Sequence, residues 1–369
     1  MDYSNFHTWY QVADKKFNNI FNAFDESIKN GEFVYFNIDS EFIEAITSMS
    51  RPKNCSPDRI QSLIATQLKK LRKKHSYIRL AYTGGTDSHT ILKVAMDNKI
   101  YIDETITILV SLKKDKEGDK EFQPGLAYAK QYEGTLIGKV TTVTPKIEDY
   151  NFRNIKNYWK NSKYIIGGYV PLRAFSWLEY LRIDNKLEKG ITIVGTEKPC
   201  LLRKNKKFYW FTMDAQHGEF MDIPNIYSMF LDKNNPELPI AQSYAFLDFV
   251  KNKENIGRNF RKIEDSLEFR FTYLNGATRL DCAHALGCVV LNEDLGLARF
   301  GKGKINYLNQ KHQFAKKELI ELNRNDIIEN WFQTVTDIYK EYKNYPYMVK
   351  SQIDTMGTVG RYSKFIEMA

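Results

Sequence analysis

Cysteine, long apolar runs and the common nucleotide-loop signatures are what this chain lacks. Four cysteines, Cys55, Cys200, Cys282 and Cys288, are spread through 369 residues. That is too few and too scattered for a disulfide framework, and points to a reducing compartment. Cys282, His284 and Cys288 offer three metal ligands on irregular spacing where a structural zinc needs four, so they read as buried small residues. No apolar stretch approaches the ~20 residues that cross a bilayer. The opening Met1-Asp2-Tyr3-Ser4-Asn5-Phe6-His7 has neither the charged nor the apolar part of a signal peptide. A cytoplasmic protein without membrane contact is therefore expected. There is no Gly-Lys-Ser/Thr ending of a Walker A loop, no G-x-G-x-x-G, no internal repeat and no low-complexity tract.

What is present is a chain of globular composition. Hydrophobic residues make up 43% and aromatics 14%, which excludes an intrinsically disordered class. The length calls for two or three domains around a continuous core. The net charge of +9 suits polyphosphate or nucleic-acid partners. Its basic residues are dispersed over 69–74, 156–163, 203–207, 251–262 and 302–317, mostly between acids or apolar positions. Each cluster thus reads first as solvated surface and only second as a nucleic-acid face.

The informative stretch runs from Tyr77 to Asn98. Ile78, Leu80 and Tyr82 alternate as in a strand; Gly84-Gly85 follow as a turn; Asp87-Ser88 open a helical pattern carried by Ile91, Leu92, Ala95 and Met96. A strand, a glycine turn and a helix N-terminus make an anion site, because glycines let backbone N–H groups close on an oxyanion and the helix dipole favours negative charge. The bland alternative is a tight turn capped by Asp87, a role compatible with binding.

Thr83-Gly84-Gly85-Thr86-Asp87-Ser88 resembles the Ser-Gly-Gly-x-Asp-Ser signature of the PP-loop ATP pyrophosphatases, with Thr83 at the first serine. This superfamily includes asparagine synthetase, GMP synthetase, NAD synthetase, tRNA-lysidine synthetase and 7-cyano-7-deazaguanine synthase. The resemblance implies an adenine nucleotide alpha hydrolase-like fold and cleavage of ATP between its α and β phosphates. Thr83, Gly84, Gly85, Thr86 and Ser88 would hold phosphate, and Asp87 would contact Mg²⁺ directly or through water. Adenine would lie at the end of the second strand, around Val110 and Ser111. The four-cysteine cluster of 7-cyano-7-deazaguanine synthase is not present.

Along the chain, 17–28 reads as a helix and 33–38 as a strand. Ser56-Pro57-Asp58 reads as the N-cap of a helix reaching about Leu71. Strands are expected at 77–83, 105–112, 138–143 and 191–196, with helices at 87–97, 126–132 and 172–182 between them. The alternation predicts a doubly wound α/β parallel sheet with ligands at the strands' carboxyl ends. The run 208–212 is strand-like. Beyond about Pro239 the pattern turns helical at 241–253, 311–322 and 325–342. The expected organisation is an N-terminal α+β extension over 1–75, the PP-loop domain over 76–240, and a mainly helical closure domain over 241–369.

Gly195-Thr196-Glu197-Lys198-Pro199-Cys200 follows the fourth strand. By analogy with the Gly-Glu-Gly-x-Asp segment of asparagine synthetase, Glu197 is a candidate Mg²⁺ ligand, Lys198 a counter-charge for departing pyrophosphate, and Gly195 part of the nucleotide site. An ordinary ion pair at a strand end explains the same residues. Asp214 is a further candidate acid. Gly301-Lys302-Gly303-Lys304 reads as a solvated turn before a phosphate contact, and Cys200 as a sulfur carrier only with a partner thiol.

Asp2 stands where glutamine-dependent asparagine synthetases carry their nucleophilic cysteine. Ammonia or a substrate amine is therefore the expected nitrogen source. The resulting expectation is an AMP-forming, Mg²⁺-dependent synthetase. It would adenylate a carboxylate or carbonyl oxygen for attack by ammonia or an amine, with a homodimer as one assembly. A tRNA- or DNA-base-modifying enzyme and a nucleotide-binding protein without turnover are the alternatives.

Overall fold

The computed structural model describes residues 8–17, 20–32, 34–84, 86–109, 122–144, 190–195, 200–204, 207–211, 225–232, 234–252, 289–292, 317, 319–326 and 366–368. The site elements grow from local signals. Helix α3 (Pro57–Lys74) starts where the Ser56 hydroxyl accepts a hydrogen bond from the Arg59 N–H at 3.3 Å, with proline in the first turn. Ile60, Leu63, Ile64, Leu68 and Leu71 fall on one buried face, and Arg72, Lys73 and Lys74 complement the dipole at its end. The helix runs one turn past the expected Leu71, because these cations suit the last turn better than a loop.

Five strands form the central sheet: β4 (Ile78–Ala81), β5 (Ile102–Ile108), β6 (Ile137–Val143), β7 (Ile191–Val194) and β10 (Ile226–Ser228). Their spatial order is β10-β7-β4-β5-β6 and every pairing is parallel. Counted along the chain this is the 3-2-1-4-5 order of doubly wound α/β folds. Strand β7 is buried at all four positions, as a parallel strand covered on both faces requires. Helices α3, α4 (Thr86–Asp97) and α6 (Glu237–Asn252) pack together, with Arg59 Nε donating to Glu237 Oε1 at 2.9 Å. Ile64, Leu80, Ile91, Ile193 and Phe230 are fully buried in the common core.

Two polar clusters are buried in the parallel domain. Arg79 of β4 and Glu104 of β5 are cross-strand partners, 2% and 3% exposed, with Arg79 Nε 3.4 Å from Glu104 Oε2. Thr141 of β6 donates to Glu104 Oε1 at 2.6 Å, and the Tyr77 hydroxyl donates to Oε2 at 3.3 Å. Burial, then the Glu104 charge, pushes the Tyr77 phenol up to about 12. The second cluster joins Gln67 of α3 to Tyr227 and Asp232. The Tyr227 hydroxyl donates to Asp232, which also accepts from the Asn234 N–H at 3.0 Å. Burial and the Asp232 carboxylate hold Tyr227 protonated, with its pKa raised well above the phenolic range.

Two smaller sheets flank this unit. Strands β1 (Thr8–Val12), β2 (Lys15–Phe17) and β3 (Val34–Ile38) form an antiparallel sheet in the order β2-β1-β3. Helices α1 (Ile20–Asn30) and α2 (Ser40–Thr47) belong to the same region. The expected helix over 17–28 begins later, because residues 15–17 are claimed by a hairpin. Val12 faces Lys15 across a two-residue turn, in which Ala13 has φ 51°.

The other sheet has the order β11-β8-β9-β12, from β8 (Cys200–Lys204), β9 (Lys207–Phe211), β11 (Val289–Asn292) and β12 (Ile366–Met368). Its β11–β8 pairing is parallel and the others antiparallel. The aromatic run expected near 208–212 is thus a strand, but of this sheet. Strands β11 and β12 come from the region read as mainly helical. Trp210 of β9 is fully buried, faces Ile366 in register, and meets Phe42 of α2 edge-on with ring centroids 5.8 Å apart. No described helix is long and apolar enough to cross a membrane.

Candidate functional site

The site is built where β4 ends. The Tyr82 N–H donates to Ile106 O at 2.8 Å and its carbonyl accepts from the Thr107 hydroxyl at 2.6 Å, so neighbouring β5 pins the strand's carboxyl end. The chain then turns through Gly84 at φ +70°, a left-handed conformation that L side chains resist. Helix α4 begins at Thr86 and carries Asp87 in its first turn, where a carboxylate suits the dipole. The Thr83 N–H donates to the Ser88 Oγ at 3.2 Å, and the two hydroxyl oxygens lie 3.4 Å apart. The Thr83 N–H is thus spent on Ser88, and the two hydroxyls lie side by side at the helix N-terminus, the end of a helix that favours an anion.

The loop's place in the sheet adds to this. Connections run from β4 through β5 to β6 on one side and through β7 to β10 on the other, so the order reverses between β4 and β7. Crevices at such a reversal, at the carboxyl ends of the strands, are where doubly wound folds bind ligands. Gly195 closes the crevice from the β7 side. A Cβ there would stand 3.3 Å from the Ser88 nitrogen, 3.3 Å from the Asp87 carbonyl carbon and 2.9 Å from Ile91 Cδ1. The first turn of α4 thus packs directly on the end of β7.

Of the residues singled out in the sequence, Thr83, Gly84, Asp87, Ser88 and Gly195 come together here. Thr86 is the first residue of α4. Gly85, Val110, Ser111, Glu197 and Lys198 lie outside the described residues. So do Asp214, the 301–304 turn, Cys282, His284 and Cys288, the 172–182 segment, and most of 311–322 and 325–342. Among the described residues no three of His, Cys, Asp and Glu come together as a metal-binding group.

Three neighbours of the loop escaped sequence reasoning. The buried Tyr82 hydroxyl shares a 2.9 Å hydrogen bond with Nδ1 of His89, itself buried in α4. The His89 ring meets Tyr128 edge-on, centroids 4.6 Å apart. Burial raises the Tyr82 phenol above its ordinary range, so it remains a protonated hydroxyl at neutral pH. The third neighbour is Gly125 in the first turn of α5 (Gln123–Lys130), a helix without a side-chain N-cap. A Cβ on Gly125 would lie 2.4 Å from Gly84 Cα and 3.3 Å from the Tyr82 hydroxyl. Pro124-Gly125 was the available signal: the proline marks a helix start before Leu126, and a glycine in that first turn has no helical reason to be there.

No protein-family model matches the chain, and no curated protein matches it significantly.

Proposed function

We propose that this protein is an AMP-forming ATP pyrophosphatase of the PP-loop type, acting as a synthetase on a carboxylate or carbonyl substrate. The observation that carries the reading is the position of the Thr83–Ser88 loop at the carboxyl end of β4, at the strand-order reversal, with the Thr83 and Ser88 hydroxyls drawn together. An adenine nucleotide alpha hydrolase-like fold is the finer description that this reading implies.

In this scheme Thr83, Gly84, Gly85, Thr86 and Ser88 hold the β and γ phosphates through N–H and O–H donors. Val110, Ser111 and Gly195 border the nucleoside. The substrate oxygen attacks the α phosphorus, the bond to the bridging oxygen of the β phosphate breaks, and pyrophosphate departs. Ammonia or an amine then attacks the activated carbon, and AMP leaves with the former substrate oxygen. The chain's contribution is positioning and charge compensation. The Asp87 carboxylate beside the phosphate donors is a hard oxygen ligand of the kind Mg²⁺ takes together with phosphates and water. Asp87 and Glu197 are the proposed holders, and the metal would supply neutralisation of phosphate charge. Lys198 is the proposed counter-charge for pyrophosphate.

The test is product chromatography after incubation with ATP and Mg²⁺ across amino acids, nucleobase acids and tRNA, with ATP–pyrophosphate exchange as the screen. AMP and pyrophosphate are expected. ADP and phosphate would overturn the assignment, and binding without turnover would leave a nucleotide sensor. The net charge of +9 permits one second reading, in which the activated group belongs to a tRNA or DNA base. Salt-sensitive nucleic-acid binding would distinguish it.

A further inference from the structure

We propose that the loop's shape is set by a strut outside its signature: Gly125 of α5, packed backbone to backbone on Gly84 and braced by the buried Tyr82–His89 hydrogen bond. This rests on the proposed function only for what the loop binds. The strut itself rests on packing.

Close packing is mutual at the two glycines. A Cβ on Gly84 would lie 2.9 Å from Gly125 Cα and 3.3 Å from Gly125 N, and a Cβ on Gly125 would lie 2.4 Å from Gly84 Cα. Neither position has room for a methyl group, and the obstructing atoms are backbone, which no rotamer change moves aside. The loop therefore has a fixed wall on the α5 side. Tyr82 fixes the other end of the contact. Its backbone is held by Ile106 and Thr107, while its hydroxyl reaches His89, one turn into α4, and sits beneath Gly125. One side chain thus ties together the strand before the loop, the helix after it and the helix beside it. His89 is held in turn against Tyr128, also of α5. With these contacts in place the Thr83 and Ser88 hydroxyls are held side by side before any ligand arrives, so binding avoids the cost of ordering the loop. Gly125, Tyr82 and His89 are positioning residues, since they act through the loop's backbone.

The experiment compares wild type, Gly125→Ala and Tyr82→Phe in two measurements. Hydrogen exchange of the full chain without nucleotide reads the strut directly. Peptides covering 82–91 should exchange faster in both variants, more so in Gly125→Ala, while peptides from β6 keep wild-type protection. Calorimetry then reads the consequence with ATP, pyrophosphate and adenosine as probes. Gly125→Ala should weaken ATP and pyrophosphate alike by about tenfold or more, with adenosine unchanged. Tyr82→Phe, which keeps the ring, should weaken them by a smaller factor. Unchanged exchange over 82–91, or equal loss for all three probes, would overturn the strut. Faster exchange over 82–91 in variants of a wild type that binds neither ATP nor pyrophosphate would uphold the strut and overturn the nucleotide reading.

Discussion

Glu104→Gln is a demanding test of how the central sheet is held together. Glutamine keeps the side chain's length and one acceptor oxygen, so the Thr141 hydroxyl can still find a partner, but the negative charge disappears. Arg79, 2% exposed and 3.4 Å from Glu104, then keeps its charge in the interior without the carboxylate that faces it. At that distance and an effective dielectric of about 20, the lost attraction is ~5 kcal/mol. The Tyr77 ring, 4.8 Å from the guanidinium, offsets part of this, by ~1 kcal/mol. Breaking buried pairs from one side generally costs ~3–5 kcal/mol, so a loss of about 3 kcal/mol or more is expected. Urea unfolding followed by tryptophan fluorescence measures it. The double variant Arg79→Met/Glu104→Gln removes the guanidinium as well and should recover most of the loss. A cost under ~1 kcal/mol for Glu104→Gln, or a double variant no more stable than the single, would show that the pair is not an interacting charged unit.

Further outcomes are expected at the loop and on α3. Gly84→Val should abolish ATP binding in calorimetry, since the left-handed φ alone costs a side chain ~1–2 kcal/mol and the added Cβ strikes the Gly125 backbone. Asp87→Ala should retain ATP binding but raise the Mg²⁺ concentration at half-maximal turnover, read from a metal titration of AMP release. His75 has its pKa held below the ordinary 6.5, first by burial and then by Lys74 and Arg72. The folded state therefore resists protonation, so this contribution is complete above about pH 6.5 and is lost as pH falls below it. Stability measured across that range should fall less steeply in His75→Gln than in wild type.

The same pair of charges explains why part of the sheet was hard to read. Strand β5 starts at Ile102, three residues before the expected Thr105, because Asp103 and Glu104 interrupt the apolar run that marks a strand buried on both faces. Pairing in register with Arg79, together with the Thr141 and Tyr77 hydroxyls, makes a glutamate acceptable there, and register is invisible in one strand's sequence. Helix α3 and the β4–loop–α4 unit were legible because their signals are local: Ser56 before Pro57, the spacing of Ile60 to Leu71, and two glycines between a strand and a helix. Gly125 was not, since its role depends on an approach to a residue 41 positions earlier in the chain. The four-stranded sheet was hidden for the same reason, its partners being drawn from β8–β9, β11 and β12.

That last sheet has a consequence for the order of events in folding. Trp210 gathers Phe42 from the N-terminal region and Ile366 from the far end of the chain, so its enclosure requires closure of very long loops. Closure entropy grows only as about (3/2)RT ln n, so the finished sheet loses little stability to this, but its formation must wait for distant partners to meet. The β4–α4 unit can assemble from neighbours in sequence while Trp210 is still open to water. Burial of Trp210 should therefore trail the formation of the parallel sheet. On a ribosome, β9 would wait with one edge bare until residues 366–368 have been made.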